Sequence, residues 1–135
     1  MDIREVTSLS DVLAAGHLFD DPPREDATAA FLADPRHHLL FAYVDGEPAG
    51  FVSGVETIHP DKGVEMFLYE LGVHDVFHGR GIGTALVYAL LDLARELGCY
   101  GVWTGTESDN TGALKTYART GADLDPDTVF AAWDF

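Results

Sequence analysis

The feature that most constrains the fold is a change of hydrophobic period in the middle of the chain. Residues 64–73 read as a strand, residues 81–97 place their apolar side chains on one face of a helix, and residues 100–106 read as a second strand. A helix that connects two strands in this way makes them neighbouring and parallel. The sequence therefore predicts an α/β fold built around this strand–helix–strand unit.

The flanking segments predict a mixed sheet with helices on its faces. Two strand-like runs, 38–44 and 47–55, are joined by Asp45-Gly46, which is a strong β-hairpin signal. With residues 64–73 they should form an antiparallel meander. Further strands are expected at 2–7 and 128–135, and further helices from Ser8 or Ser10 to about Phe19, at 24–33 and at 110–119. No linker divides the chain, so residues 1–135 are expected to form one domain.

The composition narrows the class of partner. The chain carries 23 Asp and Glu against 8 Lys and Arg, a formal net charge of −15. Such a chain repels phosphate backbones and attracts cations, so we expect no nucleic acid partner and a small cationic amine as substrate. The alternative is that the acidity serves solubility alone.

Other compositional features concern the cellular setting. No apolar run reaches the length of about 18 residues that a membrane span needs, so no membrane partner is expected. The N-terminus lacks a basic flank followed by an apolar stretch, and the single cysteine, Cys99, excludes an internal disulfide. A cytoplasmic protein is therefore expected.

The turn between the first strand and the helix of the central unit is rich in glycine. Gly79, Gly81 and Gly83 alternate where the chain enters the helix, and Arg80 adds a cation. Bare amides at a helix N-terminus are suited to a diphosphate. The turn lacks the lysine of a P-loop and, because Thr84 takes the last glycine position, it does not fit the dinucleotide fingerprint. The alternative is a helix start that is glycine-rich for packing alone.

Two motifs carry a family resemblance. His78-Gly-Arg-Gly81-Ile-Gly83 resembles motif A of the GNAT superfamily, which transfers acyl groups from acyl-CoA to amines. Asn110-Thr-Gly-Ala113-Leu-Lys-Thr-Tyr117-Ala-Arg-Thr-Gly121 resembles a second motif of that superfamily. His78 stands where the family usually has Gln or Arg, and Asp75 where many members have Pro. The resemblance covers residues 38–135 and implies a GNAT-like mixed sheet of six to seven strands with about four helices.

The resemblance implies acetyl-CoA as co-substrate and no metal. Pantetheine should lie between the strands at 66–73 and 100–106, which splay apart in the family, with Val73 bonding it through the backbone. Gly72 would permit a bulge or a close approach there, or would merely relieve packing. The residues expected to bind the cofactor are Leu71, Val73, His78, Gly79, Arg80, Gly81, Ile82, Gly83, Thr84, Asn110, Ala113 and Tyr117. Because GNAT relatives are often dimers, a homodimer is a further expectation.

Glu70 and Tyr117 are the candidate catalytic residues. Glu70 interrupts an apolar run and, by strand alternation, should share a face with Leu68 and Gly72. A carboxylate there could serve as the general base or as the anchor of a substrate ammonium group; the alternative is a salt-bridged structural residue. The resemblance makes Tyr117 the acid that protonates the leaving thiolate, and the alternative is an aromatic core residue.

Short stretches are similar to aminoglycoside 3-N-acetyltransferases. They are residues 69–73, 106–110, 116–117 and 133–135. Glu70, Glu107, Asp109 and Asp134 are the carboxylates expected to bind such a polycationic acceptor. A polyamine, an amino acid or a protein N-terminus is an alternative acceptor, and a non-catalytic acyl-CoA sensor is an alternative of another class. His74 and His78 have the spacing of zinc ligands on a helix but lack a third ligand nearby, so no metal is expected.

Overall fold

A computed structural model describes residues 1–135, in which strands and helices alternate along the chain. The strands are β1 (Asp2–Glu5), β2 (His37–Val44), β3 (Glu47–His59), β4 (Gly63–Val73) and β5 (Val102–Trp103), and the helices are α1 (Leu9–Ala14), α2 (Glu25–Ala33), α3 (Ile82–Glu96) and α4 (Thr111–Arg119). Short 3-10 turns occupy Gly16–Leu18 and Asp75–Phe77. None of the helices has the length and apolar character needed to cross a membrane.

The five strands form one mixed sheet in the order β1-β2-β3-β4-β5. Neighbouring strands are antiparallel except β4 and β5, which are parallel as the central unit predicted. The hairpin between β2 and β3 is also confirmed, since Asp45 and Gly46 both have positive φ, at 50° and 80°. Two consecutive residues of this kind match the right-handed twist of the strands that they join.

The predicted number of strands is wrong. The sheet has five strands rather than six to seven, and the alternating segment 128–135 is not a strand. Val129, Phe130 and Trp133 remain exposed there, although the Phe130 ring packs directly over Gly105. Alternation makes a strand only where a neighbour offers backbone partners, and the tail has none.

Two other predicted boundaries are too long. Regular pairing of β5 covers Val102–Trp103 instead of 100–106. The first helix ends at Ala14, after which the chain tightens into the 3-10 turn rather than continuing to Phe19. The N-terminus of that helix is capped by Ser8, whose hydroxyl accepts a bond from the amide of Asp11.

Helices cover both faces of the sheet. On one face, Leu86 and Leu90 of α3 are fully buried in a core that includes Tyr117 of α4. On the other face, Phe41 and Phe51 of the sheet form a smaller core with α1. Helices on both faces agree with the sequence-based expectation.

A part-buried hydrogen bond between side chains joins β2 to β3 at the end of the sheet near the C-terminus of α3. The imidazole of His38 is nearly inaccessible and lies 2.8 Å from Glu56 and 3.5 Å from Glu5. Sequence analysis assigned no partner to His38, because the two carboxylates come from distant segments. Cys99 is half-buried against the core on the same face.

A β-bulge in β4 reverses the direction of the side chains that follow it. Ser53 lies opposite Glu70 and Gly54 opposite Leu68, which leaves Tyr69 without a partner on β3. Leu68 before the bulge and Leu71 after it consequently both face α3. The expectation that Glu70 shares a face with Leu68 is wrong, because the extra residue moves Glu70 to the opposite face.

Replacement of Leu90 by Ala tests the α3 core. Leu90 is fully buried, so Leu90→Ala should lower the free energy of unfolding by about 3 kcal/mol. Leu97→Ala at the exposed end of the same helix is the matched control and should cost less than about 1.5 kcal/mol. Urea denaturation measures both values. Equal losses in the two variants would contradict the packing described.

Candidate active site

A cleft opens at the edge of β4 where β5 leaves it. The last link between the two strands is the Thr104 hydroxyl, which donates to the Leu68 carbonyl at 2.8 Å. Beyond that bond the strands separate around a cleft of about 730 Å³. Its lining includes Leu18, Asp20, Tyr69, Glu70, Leu71, Gly72, Val73, His78, Gly79, Gly81, Ile82, Gly83, Thr84, Gly105, Thr106, Asn110, Ala113, Thr116, Tyr117 and Arg119.

The glycine turn forms one end of the cleft. Gly79 and Gly81 have φ values of 79° and 77°, which glycine adopts without strain. A side chain at either position would project into open space, and Gly81 begins α3 without any side-chain cap. The first amides of α3 are therefore bare and accessible, which fits the diphosphate of coenzyme A.

Arg119 adds a cation to this end of the cleft. It comes from the end of α4, and its guanidinium donates to the Thr84 hydroxyl at 3.2 Å. Sequence analysis missed Arg119, although it lies two residues after Tyr117 within the second motif. Arg80, which was expected to bind the cofactor, does not line the cleft and instead lies over the Phe77 ring at 5.4 Å.

His78 ties the glycine turn to the end of β4. Its ring Nε2 donates to the Val73 carbonyl at 2.8 Å, and the Asp75 carboxylate lies 3.6 Å from the same nitrogen. The next amide, that of His74, bonds Ala49 on β3 at 2.8 Å. Because successive amides of a strand point to opposite edges, the Val73 N–H points toward the cleft. Val73 can thus offer its N–H to a ligand, while its carbonyl is already bonded within the protein.

Tyr117 stands between the core and the cleft. It is 7% exposed and packs in the α3-side core, yet it also lines the cleft beside Ala113. Burial raises the pKa of the Tyr117 hydroxyl above 10, and a hydrogen bond with Thr104 acts in the opposite direction. The phenol therefore stays protonated at neutral pH, as a proton donor must.

The start of α4 fixes the position of Tyr117. The Asn110 side chain caps the helix by accepting a bond from the Ala113 amide at 3.2 Å. The same side chain donates to the Thr106 hydroxyl at 3.2 Å. Asn110 therefore attaches α4 to the segment that follows β5, which forms the other wall of the cleft.

Glu70 lies on the wall of the cleft that faces away from the glycine turn. Its side chain is solvent-accessible, but partial desolvation raises the pKa of its carboxyl above the ordinary 4.5, and the negative charge of Asp20 adds to the shift. Glu70 forms none of the ion pairs in the structure, which leaves the salt-bridge alternative without a partner. Asp20 was missed because the Asp-Asp-Pro-Pro segment indicated only the end of a helix.

The contacts of Gly72 concern packing within the protein rather than the bulge. A side chain there would come within 2.8 Å of the Phe51 ring. The bulge lies three residues earlier, at Tyr69. The packing alternative for Gly72 is therefore the one that its contacts support.

Three of the predicted acceptor-binding carboxylates lie outside the cleft lining. Glu107 and Asp109 are exposed in the turn before α4, where their backbone carbonyls accept bonds from Asn110 and Thr111. Asp134 is exposed in the C-terminal tail. Glu70 is the only one of the four that faces the cleft.

The cleft is electrically polarised along its length. Its one cationic side chain, Arg119, lies at the end formed by the glycine turn and α4, next to the ring of His78. Its carboxylates, Asp20 and Glu70, lie on the opposite wall, and the lining contains no lysine. The cleft is therefore suited to an anionic ligand at the end formed by the glycine turn and to a cationic ligand at the wall that carries the carboxylates.

Comparison with known proteins identifies the family. Residues 6–122 match the Acetyltransferase (GNAT) family, and the chain belongs to that family. The match begins earlier than the motif resemblance indicated and stops before the C-terminal tail. Members of the family use acetyl-CoA.

Individual relatives differ in their acceptors. The chain is 32% identical over 102 residues to an uncharacterized N-acetyltransferase of Mycobacterium tuberculosis, covering 76% of this chain but only 63% of the relative. It is 34% identical over 100 residues to the L-2,4-diaminobutyric acid acetyltransferase of Nocardia farcinica, covering 71% and 51% of the two chains. Mycothiol acetyltransferases and an N-alpha-acetyltransferase are also among the relatives.

The fold is shared with solved structures. An aminoglycoside acetyltransferase from an uncultured soil metagenomic sample, in complex with trehalose, superimposes with a TM-score of 0.90 over 99% of this chain and 95% of that one. Its sequence identity is 16%, so the likeness concerns the fold alone.

Removal of the His78 ring tests whether it holds the cofactor end of the cleft. His78→Ala deletes the bond to Val73 and should weaken coenzyme A binding about fivefold, the equivalent of about 1 kcal/mol. His78→Gln retains a donor and should restore most of the affinity. Isothermal titration calorimetry measures the difference, and His59→Ala, at the end of β3 and outside the cleft lining, is the control. Full affinity in His78→Ala would rule out this role.

Proposed function

We propose that the protein is an N-acetyltransferase that moves the acetyl group of acetyl-CoA to a primary amine, by direct transfer while both substrates are bound. The observation that carries the proposal is a single cleft that brings together the bare amides of the glycine turn, the unpaired edge of β4, Tyr117 and Glu70. Acetyl-CoA supplies the acetyl group as a thioester. The residues of the chain supply its binding, the proton transfers and the stabilisation of charge.

Each end of the cleft would take a different part of the reaction. The amides of residues 79–84, together with Arg119, suit the diphosphate, and the β4 edge at Leu71 and Val73 suits the amides of pantetheine. The Val73 N–H would then also stabilise the oxyanion that develops on the thioester carbonyl. This arrangement places the thioester between Glu70 on one wall and Tyr117 on the other.

The proton transfers follow from the two titratable groups. Glu70 accepts the proton that the acceptor ammonium must lose, directly or through water, and the amine then attacks the carbonyl carbon. The new carbon–nitrogen bond forms as the carbon–sulfur bond breaks, and Tyr117 donates its proton to the departing thiolate. The nitrogen of the new amide still carries an extra proton, which it loses to the tyrosinate, so that Tyr117 is restored; Glu70 releases the first proton to solvent. Burial of Tyr117 and the raised pKa of Glu70 suit these opposite roles.

We further propose that the acceptor is a polycationic small molecule such as an aminoglycoside. The carboxylates of the cleft and the net charge of −15 support a cation. A structural neighbour with 16% sequence identity is an aminoglycoside acetyltransferase in complex with sisomicin. The shared fold supports a cleft of suitable shape for such a ligand. The diaminobutyrate acetyltransferase among the relatives favours a second candidate, a small diamino compound.

Substitution of the two candidate catalytic residues tests the mechanism. Glu70→Gln should lower kcat about 100-fold or more while leaving coenzyme A affinity unchanged. In the unaltered enzyme, kcat/KM should fall as the pH drops through the pKa of Glu70, which lies above 4.5, because the protonated carboxyl cannot accept a proton. That acidic limb should be absent in Glu70→Gln.

Tyr117→Phe is the companion variant. It should lower kcat about 100-fold with little change in KM for acetyl-CoA, because only the proton donor is lost. Tyr88→Phe, whose hydroxyl is exposed on α3, is the matched control and should retain full activity. Equal kcat values in Tyr117→Phe and the parent would exclude the acid role.

An acceptor screen tests the reaction itself. Thiol release from acetyl-CoA should be observed with sisomicin, spermidine or 2,4-diaminobutyrate as acceptor. Release with peptides alone would reject the polycation proposal. Binding of coenzyme A without release in the presence of any amine would instead support a non-catalytic sensor.

A further inference from the structure

We propose that Asp20 and Glu70 together select acceptors with two ammonium groups, Asp20 holding the second group while Glu70 faces the amine that is acetylated. This inference rests on the proposed function and concerns the part of the cleft that the acceptor would enter. It assigns a specificity-determining role to Asp20, a residue outside both GNAT-like motifs. Its support comes from how Asp20 is held, from the absence of a protein cation nearby, and from the aromatic wall beside the pair.

Asp20 is presented to the cleft by a well-anchored segment. The preceding residue, Phe19, packs its ring on Phe51 with centroids 4.7 Å apart. The Leu18 carbonyl lies 3.6 Å from the position that a side chain on Gly72 would take, so this segment runs directly beside β4. Pro22 and Pro23 follow and restrict the backbone. Asp20 is thus fixed at the cleft rather than placed at the tip of a free loop.

No side chain of the protein neutralises the pair. Neither Asp20 nor Glu70 takes part in any ion pair of the structure. The one cation of the cleft lining, Arg119, is engaged at the cofactor end by the Thr84 hydroxyl. Asp20 and Glu70 line the same cleft. Burial raises the pKa of Glu70, and the negative charge of Asp20 adds to that rise.

A ligand with two positive charges neutralises the two carboxylates more completely than a ligand with one. One ammonium group neutralises one carboxylate and leaves the other negative beside it. Two ammonium groups, joined by a spacer, neutralise both and convert the repulsion into two charge-assisted contacts. The chemistry of the pair therefore favours a diamine over a monoamine of equal size.

Tyr69 supplies a surface for the spacer. It is the bulged residue, it lines the cleft, and its ring is 64% exposed. The ring is held edge-on to Phe67 at 5.7 Å, and Phe67 in turn stacks on Trp103 at 4.3 Å. A supported aromatic face next to two carboxylates suits an acceptor whose ammonium groups are separated by a hydrocarbon chain or a ring.

Matched acceptor pairs test the inference. The full-length enzyme, with saturating acetyl-CoA, is assayed with 1,4-diaminobutane against 1-aminobutane and with 2-deoxystreptamine against glucosamine. The parent enzyme should show kcat/KM about tenfold or more higher for the diamine of each pair. Asp20→Asn should reduce that preference to about twofold or less. Asp21→Asn removes the same charge from a residue outside the cleft lining and should leave the preference unchanged.

The pH profile gives a readout that a merely structural role for Asp20 would not move. The other titratable groups that line the cleft are Asp20, Tyr69, His78, Tyr117 and Arg119. Burial raises the pKa of Glu70, and of these groups Asp20 is the one whose charge adds to the rise. Asp20→Asn should therefore move the acidic limb of kcat/KM to lower pH, whereas Asp21→Asn should not.

The outcomes separate this inference from the proposed function. Turnover of amines without a diamine preference, or an equal loss of preference in Asp20→Asn and Asp21→Asn, overturns the inference and leaves the acetyltransferase proposal standing. Absence of thiol release with every amine overturns both. A preference that is lost in Asp20→Asn alone supports the assignment.

Discussion

The unpaired stretch of β4 from Tyr69 to Val73 is the constraint on which the cleft depends. Buried backbone amides and carbonyls need hydrogen-bond partners, and β5 supplies none beyond Leu68. His78 bonds one carbonyl of this stretch, and the remaining groups on that edge face the cleft. The fold therefore leaves a short sheet edge that a ligand with amide groups of its own can complete.

The bulge and the glycine turn give this edge two chemically different ends. The turn offers bare amides next to Arg119, whereas the bulge directs Glu70 toward Asp20 on the other face. A chain with a net charge of −15 repels anions overall, so coenzyme A must be held by local groups. The same overall charge favours the approach of a cationic acceptor to the acidic wall.

The structural features that sequence alone predicted correctly are those set by short-range patterns of residues. The Asp45-Gly46 hairpin, the start of α3 at the glycine turn and the short helix predicted at 110–119 each depend on residues close together in the chain, and the structure has all three. The strand predicted in the C-terminal tail failed for the complementary reason. Its alternating pattern was present, but a strand also requires a neighbouring backbone, which the pattern cannot supply.

The site residues also divide into those that short-range motifs predicted and those that depend on tertiary packing. Those of the two motifs lie together because the strand–turn–helix unit places them, with Arg80 as the exception. Asp20 comes from a segment without a motif, and only the packing of Phe19 on Phe51 brings it to the cleft. The orientation of Glu70 was mispredicted because a bulge is a property of register between two strands, which neither strand reveals by itself.

The extra residue at Tyr69 has an evolutionary consequence. If Tyr69 were paired regularly with β3 instead of bulging, Glu70 would turn inward beneath α3 and Leu71 would turn outward to solvent. Both would be costly, since one buries a charge and the other uncovers an apolar side chain. Homologous chains should therefore keep an irregularity at this point of the strand, and its position should drift little as acceptor preferences diverge.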